Sequence, residues 1–158
     1  MKVKRMLDSI LSLCFEPTKD EPIHFNVNDD YNSKINKPKS LEGYGVYLIL
    51  NNPEMEIGNI LYIGMSGTYR KDEGIKGQNL KQRLKKKQYG VPRKVWIPSK
   101  MRGELDENDE KIDDIWIRCF ITYDEDRGLK HLPSFVEASL LKEYIEVEGN
   151  LPPWNIEY

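Results

Sequence analysis

Glu137 falls near the middle of an apolar helical face. At about 100° per residue, Leu140, Leu141, Tyr144, Ile145 and Val147 gather on one side with Val136, while Lys142, Glu143 and Glu146 lie opposite. A carboxylate turned into a packed face needs a partner, because burying it alone is costly. A divalent metal ion is one such partner. A local partner is the rival: Ser134-Phe135-Val136-Glu137 has the capping-box pattern, in which Glu137 bonds back to the N-cap amide. On a shorter helix, Arg83 and Lys87 flank a Leu80/Leu84 stripe and lean towards whatever it packs on, while Lys81, Lys85 and Lys86 point elsewhere. An arginine beside a core either grips a phosphate bidentately or snorkels over apolar surface. Tyr47 and Tyr62 sit in apolar runs with Gly45 and Gly64 beside them. A strand tyrosine ordinarily packs its ring in the core and hydrogen-bonds its hydroxyl, and a strand glycine marks a bulge or a close backbone approach.

The elements that must position these residues are legible as patterns. Met6, Ile10 and Leu13 have helical spacing over 2–14. Residues 16–43, rich in Pro, Asn, Asp and Lys, read as an extended or irregular arm. Strands are expected over 44–52 and 59–67, joined by a loop of hairpin length and paired antiparallel. Residues 68–77 read as a loop, 78–88 as a helix, 94–98 as a short strand and 114–124 as a strand rich in β-branched and aromatic residues. A helix over 134–147 stops at Gly149, before Pro152 and Pro153. This order predicts one small α+β domain: an N-terminal helix and arm over 1–43 packed on a core over 44–158. No internal repeat or low-complexity tract divides it.

The chain has 158 residues, 24 Lys+Arg and 26 Asp+Glu, a formal net charge of -2 that hides a strong polarity. Ten basic residues lie between Lys76 and Arg102 with no acid among them, and the next eleven positions, Glu104 to Asp114, hold seven acids and one lysine. The acidic stretch reads as an exposed loop. A basic block with Tyr89 and Trp96 interleaved suits a polyphosphate backbone; a solvated face balanced by its acidic neighbour is the bland alternative. No apolar run approaches the ~20 residues of a membrane helix, and no small-residue cleavage site follows the N-terminal basic residues. Cys14 and Cys119 make no disulfide framework, so reduced thiols and a cytoplasmic location are expected. His24 and His131 are isolated, which disfavours zinc and histidine-base chemistry. There is no P-loop, dinucleotide glycine turn or Gly-x-Ser-x-Gly elbow.

Together, Gly45-Val46-Tyr47 on one strand and Tyr62-Ile63-Gly64 on the next resemble the two signature triplets of the GIY-YIG nucleases. Arg83 in NLKQRL resembles the arginine of the family's next helix, Glu137 in FVEASLL its metal-binding glutamate, and Asn155 in LPPWN its closing asparagine. The resemblance runs from about Leu41 to Asn155. Val46 stands in place of isoleucine, Lys87 where many members have a histidine or tyrosine, and the segment from Gly64 to the arginine helix is longer than in minimal members. The resemblance implies a small antiparallel three-stranded sheet flanked by helices, carrying here an N-terminal helical and irregular extension. It implies an endonuclease in which Tyr47, Tyr62, Arg83, Glu137 and Asn155 are catalytic. One Mg²⁺ or Mn²⁺ ion would sit on Glu137, and either tyrosine would orient or deprotonate the attacking water. DNA is the expected partner, gripped by Lys71, Lys81, Lys85, Lys86, Lys87, Arg93 and Lys94. A compact restriction-type enzyme is the leading expectation, dimeric if it cuts a two-fold symmetric site. A structure-specific repair-type nuclease and a non-catalytic nucleic-acid-binding module are the alternatives.

Overall fold

A computed structural model describes residues 2–15, 22–104 and 110–156. In chain order the elements are α1 (Lys2–Leu11), β1 (Ile23–Asn26), α2 (Tyr31–Asn36), β2 (Tyr44–Leu50), β3 (Ile60–Met65), β4 (Thr68–Arg70) and β5 (Gly74–Lys76). They continue with α3 (Leu80–Lys85), β6 (Lys87–Gln88), β7 (Val91–Pro92), α4 (Arg93–Met101), β8 (Asp114–Asp124), β9 (Gly128–Leu129) and α5 (Pro133–Glu148).

The fold is α+β, and its main sheet is antiparallel, ordered β1-β8-β2-β3 with β9 added to β8. β2 is apolar at nearly every position because both faces of the sheet are covered. Val46, Leu48 and Leu50 face a cluster with Leu7, Val136, Leu140 and Leu141. Tyr47 and Ile49 face the other, with Leu80, Leu84, Trp96, Ile97 and Met101. The helices α1 and α5 thus pack on one side and α3 and α4 on the other. Among the described residues no helix is long and apolar enough to cross a membrane, and Cys14 and Cys119 are free thiols.

Several expectations change. The sheet has five strands rather than three. The extra pairing comes from the supposed irregular arm, where Ile23 and Phe25 turn inwards and pair with Ile117 and Ile115. The same arm holds α2, capped by Asp30, whose side chain accepts from the Ser33 amide. The arm thus joins the main sheet through β1. Residues 68–77 form the β4–β5 hairpin instead of a loop.

The short strand expected at 94–98 is part of helix α4. Its β-branched Val95 is exposed while Trp96, Ile97, Lys100 and Met101 are buried, a helical rather than alternating pattern. The middle helix ends at Lys85, so Lys87 lies in β6, exposed, and does not lean on the core. Residues 105–109 of the acidic stretch lie outside the described residues.

Candidate active site

The two glycine-tyrosine triplets are locked together by close packing. A Cβ on Gly45 would collide with the Phe120 carbonyl oxygen, so only glycine lets β2 approach β8 there. A Cβ on Gly64 would collide with Tyr47 Cζ. Tyr47 and Gly64 are cross-strand partners, so the Tyr47 ring lies across β3 in the space a side chain would fill. This places it against Tyr62, ring centroids 5.8 Å apart. Tyr62 in turn meets Trp96 edge-on at 5.7 Å, and Trp96 meets Tyr89 and Trp154. Both hydroxyl-bearing rings are buried, Tyr47 at 0% and Tyr62 at 5% exposure. Burial pushes the Tyr62 phenol well above its ordinary value, reinforced by Tyr47 and Tyr89 and opposed by Arg93.

Arg93, expected on the DNA-binding surface, is fully buried instead. The reason lies in the turn before it. Tyr89 and Gly90 both take positive φ, the geometry of a two-residue hairpin turn between β6 and β7. The turn folds Arg93 back under β6, where Nη1 donates to the carbonyls of Lys86 (3.2 Å) and Lys87 (3.0 Å). Nη2 donates to the Tyr47 hydroxyl at 3.0 Å and to Gln88 Oε1.

Arg83 of α3 and Glu137 of α5 are related through charge. Glu137 is half-buried, and burial raises its carboxyl to about 7 against the opposing pull of the Arg83 guanidinium. The capping-box alternative does not hold. Pro133 occupies the first helical turn, the N-cap is Leu132, and no side-chain cap bond forms. Among the described residues Glu137 accepts no hydrogen bond. Arg83 Nε is buried and likewise unpartnered. Arg83 also lines a cavity of about 300 Å³ at the end of β3, together with Met65, Ser66, Gly67, Lys76 and Gln78. Ser66 holds that end in place, donating its amide to the Gly45 carbonyl while its Oγ accepts from the Gly45 amide.

The described residues contain no group of three side chains suited to hold a metal. A free, half-buried carboxylate still fits a Mg²⁺ or Mn²⁺ ion. Mg²⁺ keeps several waters and binds through one or two carboxylates plus phosphate oxygens. Among the described residues, two larger cavities are lined by none of Tyr47, Tyr62, Arg83 or Glu137. The larger, about 680 Å³, has a mixed lining of Glu42, Asp124, Glu125 and Asp126 with Lys81 and Arg127.

Asn155 serves β3 directly. Its Oδ1 accepts from the Ile63 amide and its Nδ2 donates to the Ile63 carbonyl, both at 3.0 Å. β3 is an edge strand, so this carboxamide stands where a further strand would pair. Both its polar atoms are engaged with the backbone of Ile63, between Tyr62 and Gly64.

The structure therefore sorts the sequence-derived residues into two groups, Tyr47 packed on Tyr62, and Arg83 and Glu137 related through charge with no ion pair between them among the described residues. Among the described residues no hydrogen bond joins the groups. Lys71, Lys86, Lys87 and Lys94 are exposed, Lys81 is partly so, and Lys85 donates to Asn36 Oδ1 at 2.9 Å. Sequence reasoning missed Arg93 as an internal residue, along with Gln88 and Ser66. The Tyr89-Gly90 dipeptide is the only signal that would have turned Arg93 inwards. No family model, curated protein or solved structure matches this chain.

Proposed function

We propose that this protein is a divalent-metal-dependent endonuclease that hydrolyses phosphodiester bonds in DNA, in the manner its resemblance to the GIY-YIG nucleases implies. The observation that carries the reading is a buried, unpartnered Arg83 guanidinium nitrogen at the rim of a cavity, whose charge reaches the half-buried, unbonded carboxylate of Glu137. Neither group is satisfied by the described protein, and a metal-bound phosphate would satisfy both.

Glu137 would hold one Mg²⁺ or Mn²⁺ ion, which supplies Lewis-acid stabilisation of the phosphate and the leaving 3′-oxygen. Arg83 would bind the non-bridging oxygens as they gain charge. The tyrosine pair would orient the attacking water and accept its proton. The Gly45 and Gly64 contacts fix that pair, and Asn155 fixes the strand beneath it. Lys71, Lys81, Lys86, Lys87 and Lys94 would neutralise the DNA backbone.

A second reading has one observation in its favour. Tyr47 is wholly buried, which suits a nucleic-acid-binding module that retains the residues without the reaction. A substrate panel separates the two. Supercoiled plasmid, phage DNA, single strands and branched oligonucleotides would be incubated with Mg²⁺ or Mn²⁺. Discrete duplex fragments indicate a site-specific enzyme, and cutting confined to branched substrates indicates a structure-specific one. Salt-sensitive binding without any cutting supports the module and overturns the nuclease.

A further inference from the structure

Strand β8 carries a cation in the middle of an apolar row. Phe120, Arg118 and Trp116 stand opposite Val46, Leu48 and Leu50 of β2, and so share the face that α1 and α5 cover. Phe120 and Trp116 pack into the apolar cluster there. Arg118 lies between them, half-buried, and lines a cavity of about 440 Å³ between the end of α1 and β8. This is the face of the sheet opposite Tyr47.

Leu11, Phe15, Met55 and Phe120 give the cavity apolar walls. Phe15 is held firmly: its amide donates to the Ile121 carbonyl at 2.8 Å, and the Arg127 guanidinium lies 4.2 Å from its ring centroid. The polar side is cationic. Arg118 Nη2 donates to the Pro53 carbonyl at 3.1 Å, while its Nε, shielded from solvent, has no partner. Lys130 donates to the carbonyls of Ser12 (3.1 Å) and Cys14 (2.8 Å). Asp8 is the acid in the lining, and among the described residues neither cation forms an ion pair with it or with another carboxylate. Two cations against one acid leave the lining with one positive charge in excess.

We propose that this cavity is a binding site for a small organic monoanion, a carboxylate with an apolar body. The proposal does not depend on the nuclease reading. The apolar body would cover the four hydrophobic walls and release their water. The carboxylate would accept from the Arg118 guanidinium, whose planar fork matches two carboxylate oxygens. The size agrees, since ligand sites run from roughly 300 to 1,000 Å³ and join mostly apolar walls to a few fixed polar groups. Charge selects a monoanion, because a dianion such as a phosphate monoester would leave one negative charge unpaired among apolar walls. The bland alternative is an arginine lying over apolar surface with its head in water. An Nε that meets neither solvent nor a partner does not fit it.

Calorimetric titration of the full chain with sodium octanoate tests the site, with octanamide as the neutral match. Octanoate should bind one per chain, at least about tenfold tighter than octanamide, as a charge-assisted hydrogen bond implies. Arg118→Met should remove that preference and leave octanamide binding as it was. The methyl resonances of Leu11 and Met55 should move with octanoate, whereas that of Met101, buried on the other face of the sheet, should stay.

Absence of saturable octanoate binding overturns the proposal. So does saturable binding that leaves Leu11 and Met55 unmoved, which places the ligand elsewhere. Equal affinities for octanoate and octanamide, or an undiminished preference in a folded Arg118→Met, overturn it as well. If Arg118→Met does not fold, Met55→Trp, which fills the cavity from a loop, should abolish octanoate binding, and unchanged binding there overturns the site.

Discussion

The ring of Tyr47 occupies the volume that a Cβ on Gly64 would need, with the hydroxyl oxygen only 2.6 Å from that position. One triplet thus has its glycine because the other has its tyrosine. The pairing of β2 with β3 sets the contact, and it holds Tyr47 where Arg93 reaches it.

Gly64→Ala should therefore destabilise the protein by about 1–3 kcal/mol, the usual cost of overpacking a core that cannot yield. It should also displace Tyr47 and abolish cleavage. Gly58→Ala, with nothing within 4 Å of the new methyl group, should be nearly neutral. Urea unfolding of both variants is the measurement, and equal stabilities would contradict the packing.

Glu137 should weaken the metal-free fold as pH rises. Its carboxyl is raised by burial to about 7, whereas an unfolded glutamate titrates near about 4.3. A raised carboxyl contributes stability that is fully present below the unfolded value and lost as pH climbs through the folded one. Glu137→Gln should then melt higher than wild type at pH 8 in EDTA, by on the order of 1–3 kcal/mol. At pH 5 the gap should be small. Mg²⁺ or Mn²⁺ should close it by favouring the ionised wild-type carboxylate. Equal gaps at pH 5 and pH 8 would refute a desolvated carboxylate.

Asn155→Ala removes both bonds to Ile63 and should cost roughly 1–3 kcal/mol. Amide exchange at Ile63 should accelerate more than at Ile49, which lies inside the sheet. Asn155→Asp keeps the acceptor but turns a carboxylate oxygen against the Ile63 carbonyl, so it should not restore the lost stability. Unchanged protection of the Ile63 amide in Asn155→Ala would remove the edge-capping role.

Exposure divides the basic residues into those that can meet DNA and one that cannot. Neutralising Lys86, Lys87 and Lys94 together should flatten the logarithmic dependence of affinity on salt, by about one for each phosphate that no longer meets a lysine. Arg93→Lys should leave that slope alone, since its side chain has no exposed surface. Binding isotherms at several salt concentrations decide the matter. A slope that survives the triple substitution would place the DNA surface elsewhere.

Much of this architecture was readable in the residues. The runs of β2, β3 and β8 and the long α5 pattern announce themselves because several consecutive positions agree. β1 does not: its burial pattern spans four residues amid Asn, Asp and Pro, and its partner Ile117 lies far along the chain from Ile23. α4 reads as strand because Val95, Trp96 and Ile97 favour strands and Pro98 disfavours a helix, yet burial on one side decides. The Ser134…Glu137 box fails because Pro133 already sets the first turn. Among ten neighbouring cations nothing in Arg93 itself says that it turns inwards; only a turn with two positive φ values does that.

The most direct measurement is cleavage of supercoiled plasmid by wild type and Glu137→Gln, each with Mg²⁺ and with EDTA. The account predicts nicked or linear product for wild type with Mg²⁺ alone, and intact plasmid in the other three reactions despite unimpaired DNA binding. Equal cutting by Glu137→Gln, or cutting by wild type in EDTA, would contradict it.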